Sequence, residues 1–320
     1  MKKCLFCYQG LDVHEEDFHP SCSRKIFGQS TPPVLPYSEA DLAPLAMELI
    51  QSQTAITGVQ AKLSLHITGN ENTGNKRRFT LVGLWGGYIL KPPTTLYPQL
   101  PEVEDVTMHL AQLTKIKTAP HTLIRLASGN LAYITKRIDR TPKGKLAMED
   151  MCQLTERLTE DKYQGSYEQI AKAIQKYSAT PGLDVVNFFE LVLFSWLTGN
   201  ADMHLKNFSL LEQPGLGMTL SPAYDLVNTA LVNPADPEEL ALTLNGKKKK
   251  IKKQDFILAM NTLKVEDKQQ QNIFNKMTKA MPKWLELLDL SFLSVEFKER
   301  FKAILAERMG RLKTSGSESP

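Results

Sequence analysis

A chain of 320 residues can bury a large core and is longer than most single domains, so one two-lobed domain or two small ones is expected. With 42% hydrophobic and 23% charged residues the composition is globular, and every apolar stretch is broken well before the roughly 20 residues that a membrane span needs. The formal charge of +4 is mild, with 39 basic residues interspersed among 35 acidic ones, and it forces no nucleic-acid partner.

The N-terminus has two lysines but no apolar h-region, which argues against a secretory signal peptide or an N-terminal anchor. A cytoplasmic protein is expected, with delivery into another cell by a non-classical signal left open. Residues 1–28 form a Cys/His head in which two residues separate Cys4 from Cys7 and two separate His19 from Cys22. These four soft or borderline ligands make up the count of a tetrahedral structural zinc. Unmetallated thiols are one alternative. A redox-active C-x-x-C is another, although no thioredoxin-like βαβ pattern surrounds it.

Residues 29–49 read as a linker and the entry to the next lobe, because 29–36 is too rich in proline for a helix or central strand. Residues 50–144 read as a β-rich lobe. A glycine turn at Gly58 leads into alternation over 62–67, then come strands at 79–82 and 88–90. A helix follows, with Pro101, Glu102 and Glu104 in its first turn, and a strand pair at 122–127 and 131–135, joined by Ser128-Gly129-Asn130, closes the lobe. Residues 145–312 read as mainly helical: 149–159, 167–177, 185–197 and three or four further helices from 254 to 311. Short strands at 207–211 and 217–220 flank a Gln213-Pro214-Gly215 turn. Asn245-Gly246 signals a hairpin, whose solvated strand would take the lysine run 247–253. Residues 313–320 are a flexible tail.

The chemistry concentrates after the apolar helix ending near 197. Asp202, His204, Lys206 and Asn207 place an acid, basic side chains and an amide within six positions. Phosphoryl transfer needs a carboxylate near the attacking hydroxyl, which suits Asp202, and oxygen ligands that hold magnesium, which suits Asn207. Asp225, after Ala223 and Tyr224, supplies a second carboxylate following a short strand, in kinase order. Caps and turns at Asp202, Asn207 and Asp225 would explain the same residues without chemistry. Upstream, Gly58 with Val59, Gln60 and Lys62 offers backbone N–H groups to phosphate. Lys91 ends an apolar strand, and Glu104 on the next helix would orient it.

These pieces resemble the HipA family of bacterial toxin kinases over most of 55–310. The resemblance is carried by the Gly58 turn with Gln60 and Lys62, by Lys91, by 136–140, by 149–153, by 202–207 and by 223–225. It implies an α+β, bilobal protein-kinase-like fold with a small β-rich N-lobe and a mainly helical C-lobe that binds ATP and Mg2+. Asp202 would be the base and His204 would stand beside the nucleotide. Asn207 and Asp225 would hold magnesium, Lys91 would meet phosphate and Gln153 would line the site. Lys136 to Ile138 would be the adenine hinge. Only about 50 residues precede the turn, as in the short HipT form, whose missing subdomain is a separate small protein. The hinge holds Lys136 and Ile138 in place of the family's glutamate and phenylalanine. Ala55 stands where the family has an autophosphorylated serine, so Thr57, with Thr54 second, is the expected regulatory phosphosite. The resemblance further implies a serine/threonine kinase toxin of a toxin–antitoxin system. Its substrate would be a cytosolic protein such as an aminoacyl-tRNA synthetase, and an antitoxin would make any DNA contact. A small-molecule phosphotransferase and a DNA-associated regulator using the head and the lysine run are the rival readings.

Overall fold

Alternation shapes the first sheet. In the computed structural model, which describes residues 2–44, 62–69, 77–82 and 85–313, strand β1 (Leu63–Thr68) buries Leu63 and Leu65 while His66 is exposed. β2 (Arg78–Leu81), β3 (Tyr88–Lys91), β4 (His121–Arg125) and β5 (Leu131–Lys136) complete a five-stranded sheet. Its order is β2-β1-β3-β5-β4, antiparallel throughout. A side chain at Gly86 would come within 2.5 Å of the Leu65 carbonyl oxygen, so glycine is what lets the chain approach β1 there.

The Cys/His head shares this sheet's core. A bridge between Lys3 and Gly10 closes its first turn, and helix α1 (Pro20–Phe27) ends at Gly28 with φ 76°. Phe18, Phe27, Phe79 and Tyr88 meet edge to face in one cluster with Cys4, Leu5, Leu65 and Ile134. Nor does the proline-rich stretch run free. Val34 bridges to Arg78 in parallel, Phe79 N–H donates to the Val34 carbonyl at 2.8 Å, and Leu35 is buried, so this part of the stretch packs on the sheet edge. Proline is tolerated at such a sheet edge.

Two compact units result. The first comprises 1–106, 119–138 and 290–293; the second comprises 107–118, 139–289 and 294–320. The division after Ile138 differs from the boundary at 144 expected from the change in pattern. Helix α2 (Leu100–Leu113) buries Val103 and Val106 in its first half.

The second unit forms on an apolar helix. After the small ribbon of β6 (Arg140–Thr141) and β7 (Gly144–Lys145), β8 (Met148–Asp150) leads into α3 (Met151–Leu154). The capping box of Asp150 and Gln153 starts α3, but Arg157 N–H bonds back to the Cys152 carbonyl and Glu156 turns left-handed, so the helix expected over 149–159 is a single turn. Helix α4 (Tyr167–Tyr177) packs on α5 (Pro181–Leu197), which is buried around most of its circumference from Val185 on. Strands β9 (Ser209–Gln213) and β10 (Gly217–Leu220) complete the sheet order β10-β9-β8. Short α6 (Thr229–Val232) is followed by three helices, α7 (Lys253–Thr262), α8 (Asp267–Leu290) and α9 (Val295–Lys313). Asn245 and Gly246 do turn at positive φ, with Leu244 and Lys247 exchanging both backbone hydrogen bonds. Pairing stops at that bridge, because Lys247 turns to Asp255 at 2.7 Å and Lys248 to Glu238 at 3.3 Å, so the solvated strand is absent. Among the described residues no helix is long and apolar enough to cross a membrane.

Candidate active site

The loop after α5 is fixed by its backbone. Gly199 takes φ 73°, and an added Cβ would lie 2.6 Å from Asn228 Oδ1. Asn200 Oδ1 accepts from Asp202 N–H at 3.0 Å, a turn local to the side chain, and Thr229 Oγ1 accepts from Ala201 N–H at 2.8 Å. The Asp202 carbonyl then accepts from His204 N–H at 2.8 Å and from Asn207 Nδ2 at 2.9 Å. With Nδ2 committed as a donor, Asn207 keeps its Oδ1 for an acceptor or ligand role.

Tyr163, which sequence reasoning missed, donates its hydroxyl to Asp202 Oδ1 at 2.6 Å, and its ring meets His204 edge-on at 5.0 Å. Burial pushes the Tyr163 hydroxyl well above its ordinary pKa, and the charges of Asp202, Asp236 and Asp225 push it further, so it stays a donor. Asp225 is held at φ 61°, a left-handed backbone costly for a residue other than glycine. The preceding Tyr224 ties its segment to the loop: its hydroxyl donates to the Lys206 carbonyl at 3.0 Å and accepts from Ser209 Oγ at 2.5 Å. On the other side, Ala223 N–H donates to the Lys117 carbonyl at 2.8 Å. Lys206 itself pairs with Asp150 at 3.3 Å.

In the first unit, Lys91 Nζ and Glu104 Oε1 stand 2.5 Å apart with side chains 4% and 0% exposed, and the Tyr133 ring lies 5.3 Å from the ammonium. The register that pairs Lys91 with Tyr133 across β3 and β5 sets this geometry. Beside it on α2, Asp105 accepts from Tyr8 at 2.6 Å and from His121 Nδ1 at 2.8 Å. Burial pushes the His121 imidazole down to about 3, so the ring is a neutral donor.

The HipA-like C-terminal domain family matches residues 54–285. This chain belongs to that family. Its fold is similar to HipA of Shewanella oneidensis MR-1, solved with HipB and operator DNA (TM-score 0.67, 22% identity, 83% of this chain and 70% of that one). It is also similar to the Helicobacter pylori proinflammatory kinase CtkA (TM-score 0.55, 18% identity, 73% and 87%). These likenesses establish the kinase-like α+β fold. Among curated relatives, "Putative kinase Y4dM" of Sinorhizobium fredii is 34% identical over 187 residues, 55% of this chain and 45% of that protein. A "Putative kinase" of Haemophilus influenzae is 28% identical over 211 residues, 62% and 59%. The chain spans about half the length of the curated relatives it matches.

The remaining HipA-like positions fall as follows. Thr54, Thr57, Gly58, Val59 and Gln60 lie outside the described residues, and Lys62 is exposed just before β1. Gln153 is exposed, and its side-chain oxygen accepts from Asp150 N–H in the capping box, so its amide has a structural task. The N–H groups of Lys136 and Arg137 donate to the Pro120 and Gly87 carbonyls, each at 2.8 Å, while Ile138 is half-buried. Cys4, Cys7, His19 and Cys22 bring their ligand atoms within 4.8 Å of one another.

Proposed function

We propose that this HipA-like chain is an ATP- and Mg2+-dependent serine/threonine protein kinase that acts as the toxin of a toxin–antitoxin system. The observation that carries the reading is the loop of Asp202, whose carboxylate accepts from Tyr163 and whose carbonyl accepts from Asn207 Nδ2, with Tyr224, the residue before Asp225, tied to the same loop through the Lys206 carbonyl and Ser209 Oγ. Asp202 takes the proton of the attacking hydroxyl, with Tyr163 fixing the orientation of its carboxylate. Asn207, through Oδ1, and Asp225 would hold magnesium, which when bound neutralises charge on the transferring phosphoryl group. An amide oxygen and a carboxylate are the hard ligands that magnesium prefers. Lys91, aimed by Glu104, contacts phosphate. Because the N–H groups of Lys136 and Arg137 are already engaged, adenine is met at Ile138 or through carbonyls.

The HipA neighbour was solved with HipB and operator DNA, which supports a small antitoxin partner here, with DNA contacted through it. The lysine run gives less support to direct DNA binding, since two of its members are paired with acids. An aminoacyl-tRNA synthetase is the proposed substrate class, and Thr57, or Thr54, the autophosphorylation site.

Asp202→Asn tests the reading. Phosphate transfer to protein should fall about 10²–10⁴-fold, the contribution typical of a general base, with the melting temperature nearly unchanged and growth arrest abolished. Growth arrest that survives the substitution would refute the kinase toxin, as would label entering metabolites rather than proteins. Steep salt dependence of DNA binding by this chain alone would favour the regulator instead.

A further inference from the structure

The head is built as a knuckle. Cys4 N–H donates to the Gln9 carbonyl at 2.8 Å and Tyr8 N–H to the Cys4 carbonyl at 2.9 Å, closing a turn around Cys4 and Cys7. His19 stands at the N-terminus of α1, and Cys22 lies in its first turn.

The distances fit a tetrahedral ion. Zinc–sulfur bonds of about 2.3 Å and a zinc–nitrogen bond of about 2.0 Å put sulfur and nitrogen about 3.5 Å apart along a tetrahedral edge. His19 Nδ1 lies 3.4 Å from Cys7 Sγ and 3.7 Å from Cys22 Sγ. Its other nitrogen, Nε2, is 3.0 Å from the Gly10 carbonyl oxygen, which can only accept. Nε2 therefore carries the proton and Nδ1 turns its lone pair to the sulfurs, the arrangement that orients a metal-bound imidazole. All the cysteines are free thiols, and three in one cluster cannot all be paired as disulfides.

We propose that Cys4, Cys7, His19 and Cys22 hold one structural zinc ion. Three thiolates and one imidazole match the softness and coordination number of zinc. Binding replaces three S–H bonds with zinc–sulfur bonds and releases the protons to solvent. The ion also braces α2. Tyr8, directly after the second cysteine, takes φ 65° to leave the knuckle, and its buried hydroxyl reaches Asp105, the neighbour of Glu104.

The test uses the full-length chain. Elemental analysis should find one zinc per chain in the wild type and in Cys152→Ser, whose cysteine lies outside the head, and several-fold less in Cys7→Ser and Cys22→Ser. Cobalt exchanged into the wild type should give the intense visible bands of a tetrahedral site with thiolate charge transfer. Chelation should lower the melting temperature by about 10 °C, since structural zinc contributes directly to folding. A wild-type chain with no stoichiometric metal would overturn the proposal. So would a zinc content that Cys7→Ser leaves unchanged, or a cobalt spectrum without thiolate bands. The cobalt and elemental measurements on the wild type decide the matter even if the cysteine variants do not fold.

Discussion

The two units position their charged groups by different means. In the first, Lys91 is held by another side chain: Glu104 meets it in near-complete burial, 2.5 Å away, so removing either charge leaves the other buried without this partner. In the second, Asp202 and Asn207 are placed by main chain and short polar turns, through Asn200, Thr229 and the Asp202 carbonyl. Asp225 is likewise placed by its left-handed backbone and by Tyr224. A pair of the first kind is vulnerable to loss of either partner, whereas a loop of the second kind should tolerate the loss of one side chain and still keep its shape. The Asp202→Asn variant, with activity lost and stability kept, is the natural probe of the second kind.

The largest stability effect should come from breaking the first kind. Glu104→Ala leaves the Lys91 ammonium buried without its carboxylate and should cost about 3–5 kcal/mol, read by denaturant unfolding. The double variant Lys91→Met/Glu104→Leu removes both charges and should recover most of that stability, while on the proposed reading it lacks the phosphate contact of Lys91. A Glu104→Ala cost below about 1 kcal/mol would show that the pair does not depend on mutual compensation, and the contrast between the units would fail.

What was legible in the sequence follows the same divide between local and distant causes. Helix α4 spans 167–177 as expected, because Ser166 and Gln169 form a capping box within four residues of each other. The β4–β5 pair was marked by its Ser128-Gly129-Asn130 turn, and the metal-type spacing of the head is likewise local. The start of α5 was placed four residues late, since Pro181 at the first turn reads equally as a breaker. Tyr163 was invisible: it reaches Asp202 across 39 positions, and nothing local distinguishes it from any exposed tyrosine. The positive φ of Asp225 was hidden for a related reason, as Tyr224 and Ala223 tie its segment to partners distant in sequence.

A smaller effect separates carboxylates within α2. Burial, then the charge of Asp105, pushes Glu102 up to about 6 from an ordinary value of 4.5. The folded chain therefore keeps this proton after the unfolded chain has lost it, and stability falls as pH rises from about 4.5 to 6. The full penalty is about 2 kcal/mol, reached above that window. Glu102→Gln should match the wild type at pH 4 and exceed its stability at pH 7 by up to that amount. Equal stability at both values would mean that Glu102 is compensated in the fold much as Glu104 is by Lys91.

The smallest effect tests the second unit. Tyr224→Phe removes one hydroxyl that joins the Lys206 carbonyl to Ser209 Oγ, and its net cost should be about 1 kcal/mol. Stability is the minor readout. If the loops hold their shape mainly through backbone, the variant stays folded, but the segment carrying Asp225 loses its tie to the segment carrying Asp202. Misplacement on the order of 1 Å can cost up to about 10²-fold in rate, so phosphate transfer should fall about ten-fold. Ser209→Ala should lower the rate through the same tie, so adding it to Tyr224→Phe should cost little more, a non-additivity that independent effects would not show. Full activity in Tyr224→Phe would mean that the Asp225 carboxylate keeps its place without the Tyr224 hydroxyl, and the two units would then differ even more than their contacts suggest.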